Sequence, residues 1–213
     1  MKTDELISML GTNVERVDRQ KVVRTLAAAI LVGLAAAFCV MLFVLGVRTD
    51  LPKASAATYL PLKLVFTVAT LVLTSIALIK LARPGGERRT PVASVAIPFV
   101  VIMLLAGLTL ASVPSTHWDQ MIVGDNWLEC LLSIPLIAIA PFALIIWAVR
   151  QAAPTDLVRT GALAGLVAGS VSAAAYALHC TDDSLPFIVL WYGGTIAACT
   201  LAGATLGPRL LRW

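Results

Sequence analysis

The sequence predicts an all-α integral membrane protein, a bundle of six transmembrane helices with a short cytoplasmic N-terminal amphipathic segment. Of its 213 residues, 59% are hydrophobic and only 13% are charged, whereas charged residues make up about a quarter of an ordinary soluble domain. Too few charges are present to cover the surface of a soluble fold. The composition therefore excludes a disordered chain and argues against a soluble globular one, but it indicates no activity.

Six apolar stretches fix where the chain is expected to cross the membrane. A helix needs about 20 apolar residues to cross a hydrocarbon core of about 30 Å. The stretches do not alternate with a period of two, as the strands of a β-barrel would. The first stretch is too long for the core of a cleaved signal sequence. The predicted spans are residues 25–47, 64–79, 92–113, 131–149, 161–178 and 187–206.

Turn residues and basic residues set the predicted orientation. Proline, glycine and aspartate mark breaks at residues 50–52, 83–86, 153–155 and 182–184. Most of the 16 lysines and arginines lie in the N-terminal tail, the second and fourth loops and the C-terminus. Because positively charged loops stay in the cytoplasm, both termini are predicted to be cytoplasmic. The net charge of +4 is thus a topology signal, and no basic patch points to direct nucleic-acid binding.

Small residues recur along the fifth span at a spacing of four. Gly161, Gly165 and Gly169 form a smooth stripe on one helix face, and Gly203 and Gly207 repeat the spacing in the sixth span. Such stripes let two helix backbones approach closely in a membrane. The pattern predicts helix packing within the bundle and leaves homo-oligomer formation open.

Charged residues are scarce inside the spans. No aspartate or glutamate lies in the middle of a span, which argues against an ion-coupled transporter, because such proteins use buried ionisable groups. Arg24 and Lys63 lie at span ends, where long side chains can extend their charges to the membrane interface. The sequence therefore predicts a scaffold without a visible transport path.

Four cysteines carry the most reactive side chains of the chain. Cys39 and Cys199 lie inside spans and are read as small apolar packing residues. Cys130 begins the fourth span and Cys180 follows the fifth, so both are expected at the outer face. The sequence allows three interpretations of this pair: residues that only pack, a structural disulfide in an oxidising compartment, or a thiol-based sensor.

Histidine and glutamate accompany the two outer cysteines. His179 precedes Cys180, and His117 and Glu129 lie in the second outer loop, so these three are candidate accessory metal ligands beside two thiols that suit zinc-like or heavier metals. No Cys-x-x-Cys, Gly-x-Ser-x-Gly, phosphate-loop or His-Glu-x-x-His motif occurs. The chain is therefore not expected to be an enzyme.

The tail before the first span has an amphipathic pattern. Its apolar residues recur at steps of three and four, and Gly11 and Asn13 interrupt the pattern. The tail is expected either to lie on the membrane lipid or to dock its apolar face into a groove of a cytoplasmic protein. The apolar residues are Leu6, Ile7, Leu10, Val14 and Val17.

Several stretches resemble the NrsF-type anti-sigma factor family, six-span negative regulators in the bacterial inner membrane. The two cysteine contexts are the most specific of them: Trp127-Leu128-Glu129-Cys130-Leu131, with Pro135 after it, and Tyr176-Ala177-Leu178-His179-Cys180. The other stretches that match in order are residues 45–51 followed by Lys63, 81–85, 153–154, the glycine stripe, 191–192 and 211–213.

The resemblance implies a function and assigns it to residues. Residues 1–21 would be a cytoplasmic segment that docks an extracytoplasmic-function sigma factor, and residues 22–213 the transmembrane domain. Cys130 and Cys180 would sense metal or oxidative stress in the periplasm and cause the sigma factor to be released. No cofactor is required beyond a heavy-metal ion bound transiently at these cysteines. The alternatives are a small transporter or permease-like protein with a periplasmic Cys/His metal site and a structural membrane protein with a periplasmic disulfide.

Overall fold

The computed structural model describes residue 3 and residues 19–50, 54–83, 92–152 and 154–212. Within these ranges the chain is helical and has no strand. The predicted docking residues Leu6, Ile7, Leu10, Val14 and Val17 lie outside the described residues. The helices are α1 Arg19–Val40, α2 Ala54–Leu81, α3 Ile97–Ala111, α4 Trp118–Val123, α5 Trp127–Arg150, α6 Leu157–Tyr176, α7 Leu185–Phe187 and α8 Gly194–Leu210.

Six helical stretches are long and apolar enough to span a membrane, which confirms the predicted number of spanning helices. The second begins earlier than expected, because α2 continues through Pro61. The last one joins α7 and α8 through a π-helical turn. The six stretches are Gln20–Leu45, Ala57–Leu81, Ala93–Ala111, Ser115–Arg150, Leu157–Tyr176 and Leu185–Leu210.

One end of the bundle has more local structure than the sequence predicted. We call it the cysteine end, and its loops are residues 46–50, 112–126 and 177–184. The middle loop forms a 3₁₀ turn, Ser115–His117, and the short helix α4. Two π-helical segments, Met41–Leu45 and Ile188–Gly193, lead into this end. Because π-helical turns are rare and occur frequently at functional sites, these two segments favour the cysteine end as a functional site.

Helix α6 forms the centre of the bundle. Inside the protein, 78% of its apolar stretch is buried, against 22% for the stretches of α1 and α3. Small residues make this position possible, because α6 packs backbone to backbone against α8. A Cβ atom at Gly161 would overlap the carbonyl oxygen of Gly203, and one at Gly165 would overlap that of Cys199. The glycine stripe therefore faces a helix of the same chain.

Candidate sensor site at the cysteine end

The two cysteines of interest lie close together at the cysteine end. Cys130 is in the first turn of α5 and is fully buried, and Cys180 is in the loop between α6 and α7 and is 1% exposed. Their side chains are near enough to interact electrostatically. The rings of Tyr176 and Tyr192, whose centroids are 6.1 Å apart, lie beside them. All four cysteines of the chain are free thiols, so the structure presents this pair unbridged.

Burial controls the ionisation of the Cys180 thiol. Removal from water raises the pKa of this thiol, and the charge of Lys63 opposes the rise without cancelling it. Because the thiolate is the form that attacks oxidants and binds metals, a protonated and buried thiol is protected from reaction. At neutral pH the Cys180 thiol is therefore protonated in this arrangement.

A buried ion-pair network holds the loop that carries Cys180. Arg48 lies 2.6 Å from Asp50 and 2.7 Å from Asp183, and Lys63 lies 3.0 Å from the other oxygen of Asp183. The side chains of Arg48 and Lys63 are 0% exposed, and that of Asp183 is 7% exposed. Buried charges are tolerated when they are paired and hydrogen-bonded. Two cations and two carboxylates balance one another here, so the network carries no net charge.

The same two cations contact the backbone of the cysteine. The carbonyl oxygen of Cys180 accepts hydrogen bonds from Arg48 Nη1 at 3.0 Å and from Lys63 Nζ at 3.2 Å. Burial alone would raise the pKa of Asp183, but the hydrogen bond from Arg48 and the charge of Lys63 hold that pKa below its usual value. Asp183 therefore stays ionised at neutral pH and keeps both cations in place.

The interpretation of Lys63 as a residue that extends to the membrane interface is wrong. Its side chain is fully buried, and its ammonium group lies 5.8 Å from the centroid of the Tyr192 ring. Its position in the seventh place of the stretch Ala57–Leu81 puts it towards the cysteine end rather than at the middle of the span. The sequence did not indicate that Arg48 and Asp183, 135 positions apart, pair with each other.

A pattern in the sequence could have indicated which face of α2 is buried. Thr67, Thr70 and Thr74 follow Lys63 at steps of four, three and four residues, which places all four on one helix face. All of them are buried. Thr67 and Thr70 donate their hydroxyl protons to backbone carbonyls one turn earlier, at 2.9 and 2.8 Å. A lysine at the end of such a polar stripe faces the protein interior and not the lipid.

Side chains of the neighbouring loop fix the other side of the Cys180 loop. The carboxylate of Asp182 accepts hydrogen bonds from the backbone N–H groups of Asp125 and Asn126, just before α5. The amide of Asn126 donates to Thr181 Oγ1 at 3.1 Å, and Ser184 donates to the carbonyl oxygen of Met121 in α4 at 2.6 Å. The loop from residue 180 to residue 184 is thereby tied to α2, to α4, to the start of α5 and, through Arg48, to the end of the first span.

The candidate accessory ligands are divided between two cavities. His179 and Glu129 line a cavity of about 280 Å³ that also reaches Cys180. His179 Nε2 lies 3.9 Å from a carboxylate oxygen of Glu129, and its Nδ1 donates to the carbonyl oxygen of Gly46. His117 lines a separate cavity with Asp182 and Asp183. Among the described residues, no three histidine, cysteine, aspartate or glutamate side chains gather into a metal-binding group.

Comparison with known proteins identifies the family. The chain matches the NrsF family, described as negative regulator of sigma F, over residues 10–213. The chain belongs to the NrsF family. The resemblance inferred from the sequence is thus confirmed. The matched range contains Cys130, Cys180, the ion-pair network and the glycine stripe, and it excludes only the first nine residues.

Two curated NrsF proteins align with this chain over its full length. A probable anti-sigma-F factor NrsF of Azospira oryzae is 32% identical over 213 residues, covering 100% of both chains. An anti-sigma-F factor NrsF of Caulobacter vibrioides is 31% identical over 216 residues, also covering 100% of both. No solved structure matches the chain.

Proposed function

We propose that this chain is a membrane-bound anti-sigma factor of the bacterial inner membrane, with both termini in the cytoplasm. Its N-terminal segment holds an extracytoplasmic-function sigma factor in an inactive state, and a metal or oxidant that reaches Cys130 and Cys180 from the periplasm causes release. The observation that carries this proposal is the full-length similarity to two anti-sigma-F factors. Membership of a regulatory family also favours a role without catalysis.

The arrangement at the cysteine end supports the sensing part of the proposal. Two free thiols lie together, and a cavity of about 280 Å³ reaches Cys180. A soft metal ion would bind the thiolates of Cys130 and Cys180, and His179 and Glu129 lie along the approach. Because the loop of Cys180 contacts several helices, a displacement of this loop would change the arrangement of the bundle. Such a change can release a partner only if the two arrangements bind that partner with different affinities.

Substitution of the two cysteines tests the sensing role. We expect Cys130→Ser and Cys180→Ser each to hold a sigma-dependent reporter at its uninduced level after cadmium or diamide is added, because serine supplies no thiolate. Cys39→Ser, in α1, is the control and should induce normally. Normal induction in both outer-cysteine variants would contradict the sensor assignment.

Removal of the tail tests the docking role. Deletion of residues 2–18 leaves α1 intact from Arg19 and keeps basic residues for orientation. We expect the truncated protein to reach the membrane but to retain no sigma factor on purification. In the intact chain, Leu10→Asp should weaken retention strongly because it places a charge on the apolar face, whereas Ser8→Asp should not. Sigma factor that copurifies equally well with the truncated protein would disprove the docking role.

A further inference from the structure

The end of the first span is attached to the Cys180 loop by several hydrogen bonds. The backbone N–H of Arg48 donates to the carbonyl oxygen of Leu178 at 3.0 Å, and His179 Nδ1 donates to the carbonyl oxygen of Gly46 at 2.9 Å. The Arg48 guanidinium adds bonds to the Cys180 carbonyl and to both oxygens of Asp183, at 2.7 to 3.0 Å. The residues that follow α1 are therefore attached to the residues around Cys180.

The connection between α1 and this loop contains two features that favour adjustment. The last turn of this stretch, Met41–Leu45, is π-helical, and π-helical turns are frequent at functional sites. Gly46 then adopts a φ of 80°, a conformation that glycine takes readily, and it brings Arg48 back towards the loop. A change in the position of Cys180 can therefore be passed into α1 without breaking its regular helix.

The rest of α1 is less enclosed by the protein than the central helix is. Only 22% of its apolar stretch is buried, whereas 78% of that of α6 is. Its close approach to a neighbour is at Gly33, where an added Cβ would lie 3.1 Å from Pro141 of α5. Helix shifts of about 1–2 Å at such contacts are a known way of carrying a signal. At its other end α1 begins at Arg19, where the N-terminal segment joins it.

We propose that α1 is the helix that carries the signal from Cys180 to the N-terminal segment, and that Arg48 is the positioning residue that attaches α1 to the Cys180 loop. This inference rests on the proposed function. A soft metal ion that binds the Cys180 sulfur replaces the thiol proton, which passes to water; alternatively, diamide takes up the two thiol hydrogens as Cys130 and Cys180 form a disulfide. Either step displaces the carbonyl oxygen of Cys180 and Asp183, which are the acceptors of Arg48. The end of α1 is then released from the loop, and the helix moves together with the segment that holds the sigma factor.

A charge-balanced double substitution tests this role. Arg48→Gln combined with Asp50→Asn removes one cation and one carboxylate and leaves the Lys63–Asp183 pair intact, so no buried charge loses its balance. We expect basal reporter activity to rise about fivefold or more without inducer, the lower range of coupling between distant sites. The affinity of the purified membrane protein for the sigma factor should fall by a similar factor. Arg48→Lys alone, which keeps the charge and Asp50, should retain more sigma factor than the double variant but less than the wild type.

A matched control separates attachment of α1 from loosening of the loop in general. Asn126→Ala removes the side-chain bond to Thr181 and so weakens the attachment of the same loop to the residues before α5. It leaves the bonds of Gly46 and Arg48 to the Cys180 loop in place. We expect this variant to repress the reporter like the wild type. Membrane levels and apparent unfolding temperatures of all variants are measured in parallel, so that loss of sigma factor at equal stability reports positioning.

The outcomes distinguish this inference from the proposed function. If the Arg48/Asp50 variant represses and induces like the wild type while the cysteine variants fail to induce, the role of α1 is overturned and the proposed function stands. If Asn126→Ala derepresses as strongly as the Arg48/Asp50 variant, the specific role of Arg48 is also overturned. If the tail deletion still retains sigma factor, the proposed function itself fails.

Discussion

Asp183→Asn is expected to destabilise the folded chain by about 3–5 kcal/mol, the usual cost of removing one partner from a buried ion pair. The substitution leaves Lys63, whose side chain is fully buried, without its carboxylate partner, and it replaces one of the two Asp183 oxygens that accept from Arg48 with an amide NH2 group. The loss should appear as a lower midpoint when SDS unfolds the protein in mixed micelles, followed by the fluorescence of its five tryptophans.

Two further variants show whether the unpaired charge is the cause. Asp119→Asn changes an exposed aspartate in α4 and should leave the midpoint unchanged. Lys63→Gln combined with Asp183→Asn removes the pair together and should recover much of the lost stability, because replacing both partners avoids an uncompensated charge. An Asp183→Asn variant as stable as the wild type would disprove the structural role of the network.

The network also predicts how stability depends on pH. The pKa of Asp183 is lower in the folded chain than in the unfolded one, where aspartate titrates at about 3.9. Its contribution is therefore fully present above the unfolded value and is lost as the pH falls through the lower folded value. The stability difference between wild type and Asp183→Asn should be constant from pH 5 upward and shrink below about pH 4.

Gly165→Ala is expected to have the second largest effect, a destabilisation of about 1–3 kcal/mol from overpacking. Its Cβ would overlap the backbone carbonyl oxygen of Cys199 and lie 3.2 Å from the Cα of Gly203, so α6 and α8 must separate. Neither neighbour is a flexible side chain that could move aside. The same unfolding measurement in mixed micelles detects the loss.

A second glycine in a spanning helix supplies the control. Gly107 lies in α3, and a Cβ added there would meet no atom within 4 Å. Gly107→Ala should therefore leave stability unchanged or raise it slightly, since alanine favours helix more than glycine does. Equal effects at Gly107 and Gly165 would mean that the contact between α6 and α8 does not limit stability.

The sequence predicted the larger features because they depend on local composition. Runs of apolar residues long enough to cross a membrane as a helix identified six spans. Small residues at every fourth position identified the face of α6 that packs closely against α8. The short helix α4 and the two π-helical turns were missed, because elements this short produce no periodic signal. The family was recognisable from the residues around Cys130 and Cys180.

The sequence by itself determined the helical class, the number of spans and the family, because apolar length, small-residue spacing and local motifs are properties of neighbouring residues. Only the tertiary structure decided that Arg48, Lys63 and Asp183, which come from three separate segments, form one buried network around Cys180. Ion pairing joins residues up to 135 positions apart, and no local pattern records such a distance. From the sequence, a charged residue at the end of a span such as Lys63 is predicted to face water. The fold shows instead that Lys63 faces Asp183 in the protein interior.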